Sequence, residues 1–124
     1  MIGYTTLGTN DLDRAVAFYD ALLAEFGAGQ IMNDGRIVIW AAEGSMAGMM
    51  AVCTPNDEQT ATVGNGVMVA LNAGSQDKVK SIYSKALELG GTDEGEPGPR
   101  GEGGFYGAYF RDLDGNKLAA FTMG

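Results

Sequence analysis

The 124-residue sequence contains no histidine, one cysteine and three prolines, with only 8 basic side chains against 16 acidic ones. Without histidine there is no imidazole base, no serine–histidine–acid triad and no histidine ligand for a metal ion. The single thiol, Cys53, has no partner for an intramolecular disulfide, which predicts a reducing, cytoplasmic setting. A formal net charge of −8 lacks the basic footprint demanded by nucleic acid or an anionic membrane, so neither is an expected partner. No apolar run approaches the roughly 20 residues that span a bilayer. The first ten residues lack the basic and apolar regions of a signal peptide.

What is present is an ordinary globular apolar fraction, 45%, and 20 glycines, more than twice the average share of about 7%. Residues 2–8 read as a strand, and Asn10 and Asp11 behind it are good helix N-caps. Leu12, Ala15, Val16, Tyr19, Leu22, Leu23 and Phe26 then recur every three or four positions, the stripe of an amphipathic helix stopped by Gly27. Asn33-Asp34-Gly35 between residues 31–32 and 36–40 is a hairpin signal. Residues 46–54 read as a further strand. Residues 56–65 read as a polar linker.

The second half repeats this order. Residues 67–71 form a strand, Ser75 caps a helix striped by Val79, Ile82, Tyr83, Ala86 and Leu89, and residues 92–104 form a glycine- and proline-rich loop. Strands over 105–110 and 117–122 flank the turn Asp112-Leu113-Asp114-Gly115. At an offset of 64 residues Leu7 matches Leu71, Asp13 matches Asp77, Arg14 matches Lys78 and Tyr19 matches Tyr83. The expected fold is α+β: one domain of two tandem βαβββ modules, residues 1–55 and 66–124. Neither module is large enough to bury a sheet face alone. Side by side they predict a curved eight-stranded mixed sheet with helices on its convex face. The concave face is then the natural place for a small ligand.

Two segments carry a family resemblance. Leu7-Gly8-Thr9-Asn10-Asp11-Leu12 with Phe18-Tyr19, and Tyr106-Gly107-Ala108-Tyr109-Phe110-Arg111-Asp112-Leu113-Asp114-Gly115-Asn116, resemble the signatures of the vicinal-oxygen-chelate superfamily. That superfamily includes glyoxalase I, extradiol dioxygenases and the bleomycin- and fosfomycin-resistance proteins. The resemblance spans essentially the whole chain, with leucine in place of the second turn's usual proline. It implies a divalent metal held by histidine and glutamate on strands of both halves. The matching positions are Tyr4, Met68 and Ala119, and a phenol, a thioether and a methyl do not hold such an ion. No metal and no cofactor is therefore expected, nor ordinary glyoxalase I or dioxygenase activity.

The family's strand parity implies a cavity lined by Tyr4, Thr6, Met68, Ala70, Ala119 and Phe121, with Trp40, Met50 and Tyr106 beside them. Aromatic rings and thioethers suit an apolar or planar ligand. Arg100, in the glycine-rich loop, is a candidate clamp for a ligand carboxylate or phosphate. Tyr4 or a loop carboxylate is the candidate for proton transfer. Cys53 has no histidine to activate it and reads as a small apolar residue. The expected function is metal-independent binding of a small apolar or aromatic molecule by a homodimer. The alternatives are a metal-free lyase or isomerase acting on a small carbonyl compound, and a structural or regulatory dimer module with a filled cavity.

Overall fold

The computed structural model describes residues 1–124, and the chain divides into two units, Met1–Val63 and Gly64–Gly124. Each begins with a strand that feeds a helix, because a short polar residue stands where the strand ends. Asp11 accepts a hydrogen bond from the Arg14 amide at 3.1 Å and starts helix α1, Leu12–Leu23. Ser75, 64 positions later, accepts one from the Lys78 amide at 3.1 Å and starts α2, Gln76–Glu88. α1 ends in a 3-10 turn over Ala24–Phe26, closed by Gly27 in the left-handed region at φ 68°. The apolar stripe over residues 12–26 is thus helical throughout, but its last turn is tighter than an α-helix.

In the first unit the strands are β1 Tyr4–Gly8, β2 Ala28–Asn33, β3 Ile37–Ala42 and β4 Met49–Cys53. They form one four-stranded sheet in the order β1-β4-β3-β2, with β1 parallel to β4 and the other pairs antiparallel. In the second unit β5 Val69–Asn72, β6 Thr92–Pro99, β7 Tyr106–Arg111 and β8 Lys117–Thr122 repeat that plan as β5-β8-β7-β6. The architecture is α+β, with eight strands in two four-stranded mixed sheets and one long helix on a face of each. The expected strand boundaries shift by a few residues, as ends without caps usually do.

One expectation is corrected. The glycine- and proline-rich segment does not stay a loop: residues 92–99 pair antiparallel with β7 as an edge strand of the second sheet. Pro97 and Pro99 are tolerated there because one side of an edge strand owes no hydrogen bonds. The pairing also shifts register twice, between Asp93 and Gly95 and between Gly95 and Gly98.

The apolar core of each unit lies between its sheet and its helix. Phe18, Tyr19, Leu22 and Leu23 of α1 are buried together with Leu7, Val38, Trp40 and Val52, whose strand parity sends them to the same side. In the second unit Val79, Ile82 and Ala86 of α2 are buried with Ala108, Phe110, Leu118 and Ala120. The turn after β7 is built by Asp112, which is buried. Its carboxylate accepts from the amides of Asp114 and Asn116 and from the Asn116 side chain, each at 2.9 Å.

Candidate functional site

Strand register decides which predicted residues share a face. Thr5 pairs with Met50, Met50 with Trp40, and Leu7 with Val52. Cross-strand partners point to the same side of a sheet, so Met50 and Trp40 lie on the α1 side. Trp40 is 1% exposed, its ring 5.9 Å from that of Tyr19, and its indole N–H donates to Asp20 Oδ1 at 2.8 Å. The expectation that Trp40 and Met50 line a ligand cavity is therefore corrected: both are core residues under the helix. Tyr106 is corrected for the same reason. It pairs with Thr122, in phase with Ala108 and Phe110, which places it on the α2 side of the second sheet.

Tyr4 and Thr6 lie on the face of the first sheet opposite α1, and Tyr4 is 54% exposed. With them, on β3 and β4, are Ile37, Ile39, Ala41, Met49, Ala51 and Cys53. Along these three strands the face has no charged side chain.

The helix-free face of the second sheet is different. Ala70 pairs with Ala119, and Ala119 with Tyr109; Phe121 pairs with Gly107, and Lys117 with Arg111. Met68 stands just before β5 and is 42% exposed, whereas Ala119 is fully enclosed. The rings of Phe105 and Phe121 stack at 5.4 Å and an angle of 4°. Gly107 makes this possible, since a Cβ there would stand 2.7 Å from the Phe105 ring. Next along the face is Tyr109. The guanidinium of Arg100 lies 5.4 Å from the centre of its ring and the ammonium of Lys117 lies 5.5 Å from it. Arg111 forms an ion pair with Glu94 and donates to the Gly115 carbonyl at 2.9 Å.

The structure thus gathers Ala70, Ala119, Phe121 and Arg100 on one face, and adds Phe105, Tyr109 and Lys117, which the sequence reading passed over. Their signal was available. Lys117 has the parity of Ala119 and Phe121, and Tyr109 has that of Gly107.

A concavity lies within the first unit, an open cleft of about 880 Å³ beyond the ends of β1 and β4. Its walls include Thr9, Asn10, Arg36, Thr54, Asn56 and Glu58, and none of the predicted site residues. Arg36 Nη1 donates to the Thr54 carbonyl at 2.7 Å, and the Asn10 side chain holds both backbone groups of Ala61.

The matched positions do not fit a catalytic metal. Tyr4, Met68 and Ala119 offer no strong donor for a divalent ion, and no three cysteine, aspartate or glutamate side chains gather as metal ligands would.

The family model described as Glyoxalase/Bleomycin resistance protein/Dioxygenase superfamily matches residues 1–120. The chain belongs to this superfamily. Among solved structures, it is similar to a glyoxalase/bleomycin resistance protein from Albidiferax ferrireducens T118. The two are 35% identical over 98% of both chains, with a TM-score of 0.88. A hypothetical protein from S. aureus is 26% identical over 98% of this chain and 92% of its own, with a TM-score of 0.74. A fosfomycin resistance protein from Listeria monocytogenes, 19% identical over 98% and 92% with a TM-score of 0.72, shares the fold. No protein of curated function matches the sequence. Within the superfamily, the fold carries many chemistries, so this chain's own side chains must supply its function.

Proposed function

We propose that this glyoxalase/bleomycin resistance-like chain binds a small molecule with an apolar or aromatic body, without a metal ion. The ligand rests on the helix-free face of the second sheet. The observation that carries this reading is the stacked pair of Phe105 and Phe121 beside Tyr109, held on a face that α2 does not cover. Flat rings accept a planar partner by offset stacking, and the half-exposed thioether of Met68 adapts to its outline. Metal independence is supported by the donor chemistry at Tyr4, Met68 and Ala119. The reading includes a homodimer in a reducing cytoplasm. No helix is long and apolar enough to cross a membrane, and Cys53 is a free thiol.

The test is a thermal-shift series with aromatic compounds, with and without a chelator. Binding to the native state raises the midpoint with ligand concentration, and the rise should survive chelation and vanish in Phe121→Ala. A rise that requires zinc or nickel overturns metal independence. Sedimentation at micromolar concentration should give the mass of two chains.

A further inference from the structure

We propose that Arg100 and Lys117, held around Tyr109, form a receptor for an oxyanion, so that the ligand of this face is an acid: an apolar body carrying a carboxylate or phosphoryl group. Charge placement is the first reason. The sequence has 8 basic residues at a net charge of −8, yet three of the eight stand on this one sheet face. Arg111 is neutralised by Glu94. Arg100 and Lys117 are not paired with a carboxylate: the hydrogen-bond acceptors of Arg100 are the Glu96 and Pro99 carbonyls, at 2.6 and 3.3 Å, and both cations lie against the Tyr109 ring. Two like charges gathered on one ring repel. The ring quadrupole offsets only part of that cost, and an anion bound at either cation lowers it further.

The local backbone is shaped around the arginine. A Cβ at Gly98 would stand 3.0 Å from Arg100 Nη1, and one at Gly95 would stand 3.3 Å from Nη2 and 2.9 Å from the Tyr109 ring. The two glycines of β6 therefore clear the bed in which the guanidinium lies. The two carbonyls then fix its orientation, leaving further N–H donors of the fork free for a ligand. A cation held in place before binding loses less freedom when its partner arrives. The apolar part of the ligand rests on the reading given under Proposed function; the anion receptor stands on Arg100, Lys117 and Tyr109.

The test compares matched probes by NMR titration: phenylacetate and phenylphosphonate against neutral phenylacetamide, and inorganic phosphate alone. The acids should bind about tenfold or more tightly than the amide, the scale of one charge-assisted hydrogen bond, and should shift the resonances of Tyr109 and Lys117. Arg100→Gln and Lys117→Gln should each remove the preference, while Lys80→Gln on the exposed side of α2 should keep it. Circular dichroism checks each variant, and should one be unfolded the other carries the test. Equal affinity for acid and amide overturns the receptor and leaves the aromatic reading standing. Phosphate binding at Tyr109 with no affinity for any aryl probe supports the receptor and overturns the aromatic reading. No shift with any probe overturns both.

Discussion

The helix-free face of the first sheet is aliphatic and sulfur-bearing along β1, β3 and β4, whereas that of the second carries Arg111, Lys117, the ring of Tyr109 and the stacked pair Phe105–Phe121. The two units otherwise follow one plan, with the same strand order and helix caps at matching positions. Duplication has preserved the strand order and the placing of the helix caps. The helix-free faces have diverged. Even the helix sides use different polar anchors. In the first, Asp20 of α1 accepts from the Trp40 indole at 2.8 Å and from Gln30 at 2.9 Å. In the second, the Tyr83 hydroxyl of α2 donates to Asp93 at 2.8 Å.

This contrast can be broken most severely at Trp40. Trp40→Ala removes a buried indole and leaves a cavity, an expected loss of about 3–5 kcal/mol in urea unfolding. Tyr109→Ala, on the helix-free face of the other sheet, should cost well under half as much. Asp112→Ala comes next, at about 2–3 kcal/mol, because it strands the donors that its buried carboxylate satisfies. Gly98→Ala should change stability little, yet displace Arg100 and weaken binding of acidic probes by isothermal titration.

A smaller effect belongs to Tyr83, the counterpart of Tyr19 in the second unit. Burial and the hydrogen bond to Asp93 raise the Tyr83 phenol above its ordinary value of 10.0. A raised folded-state value means that this contribution is complete below pH 10 and fades as pH climbs through the folded value. Unfolding measured between pH 9 and about 12 should show that alkaline loss, and Tyr83→Phe should remove it. Least of all is Asp34 in the β2–β3 turn. Hydrogen bonds from the Ile37 and Arg36 amides hold its carboxyl below 3.8. Its contribution is therefore present above that value and lost as pH falls through the lowered one. The carboxyl carbon of Asp34, followed by NMR, should titrate on the acid side of 3.8.

Much of the fold was legible because it is written in local chemistry. Asp11 and Ser75 are capping residues, Asp34-Gly35 is a hairpin turn, and the 64-residue offset shows the duplication without any long-range information. β6 was hidden because Gly95, Pro97, Gly98 and Pro99 oppose strand formation by propensity. Only pairing with β7 overrides them. The site was half legible. Parity along a single strand correctly groups residues, but which group faces the helix depends on register with the next strand. Trp40 and Met50 were misplaced on that account. Arg100 stands out by charge and Lys117 and Tyr109 by parity, whereas the meeting of both cations at the Tyr109 ring depends on how β6, β7 and β8 pair.

The irregularity of β6 has a consequence for assembly. An outermost strand normally displays a row of unpaired amides and carbonyls that another chain can extend. β6 interrupts that row with two prolines that lack the amide hydrogen, two slips of register and the acidic run Asp93, Glu94 and Glu96. β2, at the matching edge of the other sheet, has a single slip and exposes Ile31 and Met32. Of these two edges, β2 is the one more open to unwanted strand addition, and the β6 border of the cationic face is the better guarded.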